Sequence, residues 1–132
     1  MTAAARLGVA YWAIVFTIGF AFGVIRTTIV APRLGVTTAV LLELPLILMV
    51  SALVAARLLR GRALPTPAAI VMGVVALALT LASEAVLAIV LMQQPVGVWA
   101  ASLTVVPGVI GLAGQVVFAA LPVLFGRWSA PA

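Results

Sequence analysis

Four long apolar stretches make up most of this chain, and short clusters of proline, glycine, arginine and glutamine divide them. They run over about 9–31, 36–59, 67–92 and 98–125. Each is longer than the ~20 residues a helix needs to cross the hydrocarbon layer of a bilayer. None alternates polar and apolar residues over short segments, as the strands of a membrane barrel do. A backbone immersed in lipid must pair its own N–H and C=O groups, so unbroken apolar runs of this length predict helices. The expectation is one all-α integral-membrane domain over 1–132, an antiparallel bundle of four transmembrane helices.

The dividers carry helix-ending chemistry: "APRLG" after the first stretch, "RGRALPTP" after the second and "QQPVG" after the third. Pro65 and Pro67 suit the start of the third helix, where a missing N–H costs little. Tyr11, Trp12, Trp99 and Trp128 fall near predicted helix ends, where an aromatic belt meets the bilayer surface. The first stretch is expected to be a retained helix. Its apolar run is too long for a secretion signal, only Arg6 precedes it, and no small-residue cleavage site follows. The two halves do not share their charged positions, which argues against an inverted repeat.

Composition sharpens this picture. Of 132 residues, 67% are hydrophobic and 7% charged, whereas a soluble domain has roughly half and a quarter. The expected surroundings are therefore a lipid bilayer. A net charge of +5 could suggest nucleic acid, but all seven basic residues are Arg, scattered at membrane edges rather than gathered on one polar face. No nucleic-acid partner is expected. Arg6, Arg57, Arg60, Arg62 and Arg127 share one side, and Arg26 and Arg33 lie towards the other. The positive-inside rule then places both termini and the middle connector in the cytoplasm. The chain has no Cys, His, Asp or Lys, which removes most metal-binding and catalytic sets. No metal, cofactor or catalytic residue is expected.

Only two acids are present, Glu43 and Glu84, and both interrupt apolar runs. At 1.5 Å per residue, Glu43 lies roughly 10 Å below the outer end of helix 2, Glu84 roughly 12 Å below that of helix 3, and Arg26 roughly 6–7 Å below that of helix 1. All three share the outer half of the membrane. Helical Cα–Cβ bonds lean towards the N-terminus, so Arg26 leans inward and Glu43 outward, towards each other. An Arg26–Glu43 ion pair is expected, with Arg33 in the outer loop as a second donor. Glu84 leans away from Arg26 and has Thr80 and Ser83 nearby.

The neighbouring stripes are small or polar, the composition that lets membrane helices meet. Around Glu84 the face reads Gly73, Leu77, Thr80, Glu84, Ala88. Helix 4 carries a secondary polar stripe of Thr104 and Gln115 with Gly108, Gly111 and Ala119. Gly19 and Gly23 form a GxxxG, read as close packing within the bundle. Pro45 and Pro107 free the carbonyls of Leu41 and Leu103. An intramembrane charge by default calls for a partner and points to function. The Arg26–Glu43 pair also reads as a structural staple. For Glu84 two readings stay open, a neutral hydrogen-bonded structural carboxyl and a protonation switch.

The stretch "GVIRTTIVAPRLGVTTAVLLELP", with Arg26, the Pro32-Arg33-Leu34-Gly35 turn and Glu43-Leu44-Pro45, resembles a pattern in small uncharacterised four-helix proteins of the bacterial inner membrane. The resemblance covers helix 1 to mid-helix 2. It implies a multi-pass inner-membrane location and no known activity. Small multidrug transporters differ, since their essential Glu lies in the first helix, where this chain has none. The sequence thus points to a non-enzymatic assembly or accessory component that docks on a second copy or another membrane protein. The alternative is a small oligomeric transporter or channel in which Glu and Arg handle a proton, ion or small solute.

Overall fold

Thr2 opens the first helix, its hydroxyl accepting from the Ala5 amide at 3.2 Å, the bond of an N-cap. In the computed structural model, which describes residues 2–62 and 64–129, this helix is the longest run. α1 (Ala3–Ile25) passes through a π-helical turn (Arg26–Val30) into α2 (Ala31–Leu34). The chain reverses only at Gly35, whose φ of 90° favours a residue without Cβ. The first span therefore begins before residue 9 and runs past 31. Of the "APRLG" divider, only the glycine is a turn. α3 (Val36–Leu59) has the expected limits and runs through Pro45 without a break. α4 (Thr66–Val86) continues into a second π-helical turn, Leu87–Leu91.

The fourth stretch departs from expectation. Instead of one helix over 98–125 there is a short α5 (Val96–Ser102), a turn at 103–107, and then α6 (Gly108–Ser129). Pro107 removes an N–H and disfavours helical backbone at the residue before it. The turn keeps its acceptors bonded locally. The Ser102 hydroxyl donates to the Trp99 carbonyl at 2.6 Å, and that of Thr104 to the Ala101 carbonyl at 2.7 Å.

Among the described residues, four helical runs are long and apolar enough to cross a membrane: Ala3–Leu34, Val36–Leu59, Thr66–Leu91 and Gly108–Gly126. The chain is built as an all-α, multi-pass membrane protein. α1 packs on α3 and α4, and α6 packs on the same two, so the four long helices close a ring. Large apolar side chains such as Leu46, Met49, Leu53 and Val74 point outward, where only lipid would match them. Arg57, Arg60 and Arg62 are exposed at the end where α1 begins. The Arg127 and Trp128 side chains, assigned to that end and to the aromatic belt, lie outside the described residues.

The dense core sits in the half of the bundle nearest the α1 N-terminus, built on Leu7, Tyr11, Ala55, Leu59, Met72 and Phe118. Glycines allow its helices to meet. A Cβ on Gly8 would press on the Met72 carbonyl at 2.7 Å, and one on Gly73 would overlap the Ala119 carbonyl oxygen. Tyr11 is fully buried here and does not belong to a surface belt. Its ring stacks on Phe118 with centroids 4.3 Å apart, and its hydroxyl donates to the Phe118 carbonyl at 2.8 Å. That carbonyl would normally bond the amide four residues on, but residue 122 is a proline inside α6. The tyrosine supplies the missing donor. Trp12 is half-buried, and its indole N–H donates to Ser83 Oγ at 3.1 Å.

Candidate functional site

Above the Tyr11–Phe118 stack the space inside the ring of helices is not filled. A cavity of about 560 Å³ opens between α1, α3, α4 and α6. Its floor is buried, with Val15, Ser51, Thr80 and Phe118 all at or below 9% exposure. Its mouth includes Leu91 and Met92, 68% and 73% exposed. Its buried floor lies towards the end carrying the α1 N-terminus, and its exposed lining includes Phe20 and Val24 of α1 as well as Leu91 and Met92.

Both acids reach this vestibule. On its α1–α3 side, Arg26 Nη1 donates to Glu43 Oε2 at 2.7 Å, as the opposed lean of their Cα–Cβ bonds requires. Glu43 is 16% exposed and Arg26 35%, so the guanidinium stands nearer the mouth. On the α4–α6 side, Gln115 Nε2 donates to Glu84 Oε1 in a short hydrogen bond. Arg26–Glu43 is the one ion pair among the described residues, so Glu84 has no cation at ion-pair distance. The other end of the same amide, Gln115 Oε1, is buried with no donor.

Secondary structure shapes the walls. The π turn at Arg26–Val30 lies at the mouth and places Arg26, Thr27 and Thr28 on the lining, and the one at Leu87–Leu91 does so for Leu87 and Leu91. π turns are rare and recur at functional sites. Thr28 donates its hydroxyl to the Val24 carbonyl at 2.6 Å, serving an acceptor near the altered register. Gly19 and Gly23 line the cavity. A Cβ on Gly19 would meet Ile47 only at 3.5 Å, and one on Gly23 would meet Arg26 Nη2 at 3.8 Å. The GxxxG is thus a wall that leaves room, not the close seam its spacing suggests. Gly111 borders the cavity with nothing within 4 Å of its Cβ position.

The structure brings together Arg26, Glu43, Thr80, Glu84 and Gln115 around one space. Thr80 donates to the Ala76 carbonyl at 2.8 Å and forms part of the floor. Gln115, expected on a separate stripe, is the direct partner of Glu84. Two residues fall elsewhere. Arg33 is exposed at the end of α2 and does not reach the cluster. Thr104 is exposed in the turn before α6, because the Pro107 break takes it off the helix face that carries Gln115. Ser51 is a floor residue that sequence reasoning missed, its hydroxyl bonded to the Ile47 carbonyl at 2.7 Å. Its spacing of eight from Glu43, about two helical turns, was the available signal.

Chemically, the vestibule offers one neutralised ion pair and one carboxyl held by a neutral amide, within apolar walls. No metal-type grouping of His, Cys, Asp or Glu occurs among the described residues. In comparisons with known proteins, the chain matches no family model, no curated protein and no solved structure.

Proposed function

We propose that this protein is a small, non-enzymatic component of the bacterial inner membrane that admits a small solute or ion to the vestibule from the outer face. The observation that carries the reading is the cavity itself, which reaches Glu43, Glu84 and Gln115 from an exposed mouth. Its volume lies within the roughly 300–1,000 Å³ of small-ligand sites. A polar cluster serving only as a staple would fill its own space. Arg26–Glu43 fits that description alone, whereas Gln115 retains an unmet acceptor. The excess of Arg at the opposite end supports cytoplasmic termini and an outward-facing mouth. Because the floor of the vestibule is buried, passage across the bilayer requires a second conformation or a partner, and another copy of the chain or another membrane protein fits the exposed apolar faces.

The cysteine-free chain makes the test direct. Single cysteines replace Met92 at the mouth, Gly111 in the wall and Leu59 in the dense core. A membrane-impermeant methanethiosulfonate is then added outside intact cells. Modification is expected at Met92→Cys and, more slowly, at Gly111→Cys, with none at Leu59→Cys. If Gly111→Cys proves as inert as Leu59→Cys, water does not reach the vestibule from outside. The assembly role, in which the polar cluster only fixes helix register, then replaces this reading.

A further inference from the structure

The polar groups of the vestibule define which solute it suits, an inference that rests on the solute-binding reading above. Arg26 is occupied by Glu43 at 2.7 Å. An anion entering the cavity would have to displace that carboxylate while facing a second one. The opposite wall presents the complementary need. Glu84 is held only by an uncharged amide. A carboxylate in an apolar site favours a cation beside it. The remaining walls are apolar, with Phe16, Leu44, Leu48, Leu87 and Phe118 among them. An inorganic cation would leave those walls unmatched and would find too few oxygens, since no cluster of three acids exists among the described residues.

We propose that the vestibule binds an amphipathic organic cation, a protonated amine on an apolar body. One N–H is donated to the Glu84 carboxylate, while the body lies against the leucines and Phe118. A quaternary ammonium matches the charge but brings no N–H. The site therefore separates it from an amine of the same skeleton.

The test uses the full chain in lipid nanodiscs, with titration calorimetry corrected against empty discs. Four probes share one phenyl ring: 2-phenylethylamine, its N-trimethylated quaternary analogue, the neutral 2-phenylethanol and the anionic 3-phenylpropionate. Saturable one-to-one binding is expected for the amine, at least tenfold weaker binding for the quaternary analogue, and none for the carboxylate. Glu84→Gln should weaken the amine at least tenfold and leave the alcohol unchanged. Gly111→Leu should abolish binding of every probe, because its side chain enters open space in the cavity. Equal amine affinity in wild type and Glu84→Gln, or tighter binding of the carboxylate, overturns the amine assignment. If the alcohol still binds and Gly111→Leu still blocks it, the solute-binding reading stands without that assignment. No binding of any of the four probes to wild type overturns both.

Discussion

Arg26 and Glu43 show how an intramembrane charge is made tolerable. Each is costly alone in hydrocarbon, and at 2.7 Å each answers the other. Removing one partner should therefore be worse than removing both. Glu43→Leu is expected to lower unfolding stability in detergent by about 1–3 kcal/mol, less than a fully buried pair because Arg26 is partly exposed. Arg26→Leu combined with Glu43→Leu should recover most of that loss. A double-mutant cycle measured by thermal or denaturant unfolding checks this, and additive losses would mean that the pair carries no coupling. Half of this arrangement was legible in the letters. Opposed helix directions and a short connector are enough to bring Arg26 to Glu43. The Glu84–Gln115 bond was not legible, because both residues sat on polar stripes of their own and nothing local fixed how α6 turns about its axis.

At the scale of elements, prolines decide where helices bend their rules, and each of three prolines does so differently. Pro45 sits in a helix that continues unbroken, and Pro107 accompanies the turn that separates α5 from α6. Pro122 frees the Phe118 carbonyl inside α6, and Tyr11 on α1 takes it up. That bond ties two helices that meet across the bundle. Tyr11→Phe should cost about 1–2 kcal/mol, the penalty of a buried acceptor left without its donor. In a Pro122→Ala background, whose restored amide bonds the same carbonyl, the further cost of Tyr11→Phe should fall to near zero. Unfolding midpoints of the four proteins read the cycle. An unchanged cost in the Pro122→Ala background would show that the hydroxyl matters for another reason. Sequence periodicity finds that Pro122 lacks an N–H, but not which side chain replaces it. The donor comes from a residue 107 positions away.

The molecule as a whole is asymmetric along the bundle axis. One half is close-packed, with glycines at the crossing points, and the other opens into the vestibule. Glycine substitutions should report the difference. Gly73→Ala drives a methyl into the Ala119 carbonyl and is expected to cost about 2–3 kcal/mol, as overpacking does. Gly111→Ala meets nothing within 4 Å and should leave the unfolding midpoint in place or raise it slightly, through the better helix propensity of Ala. Parallel unfolding curves check the pair of variants. Equal losses would mean that the open half is packed as tightly as the closed one.

Length, hydropathy and the scarcity of polar residues determined by themselves that the described residues form four helices long and apolar enough to span a membrane. Lipid offers the backbone no partners, so a long apolar run has almost no alternative to a helix. The tertiary structure alone decided which helix faces meet, that Arg33 and Thr104 lie apart from the cluster, and that a GxxxG lines a space instead of closing one. These depend on the rotation and spacing of whole helices. In a bilayer, without a hydrophobic gradient between helix surfaces, small differences in packing and hydrogen bonding set them, and no short stretch of sequence contains those differences.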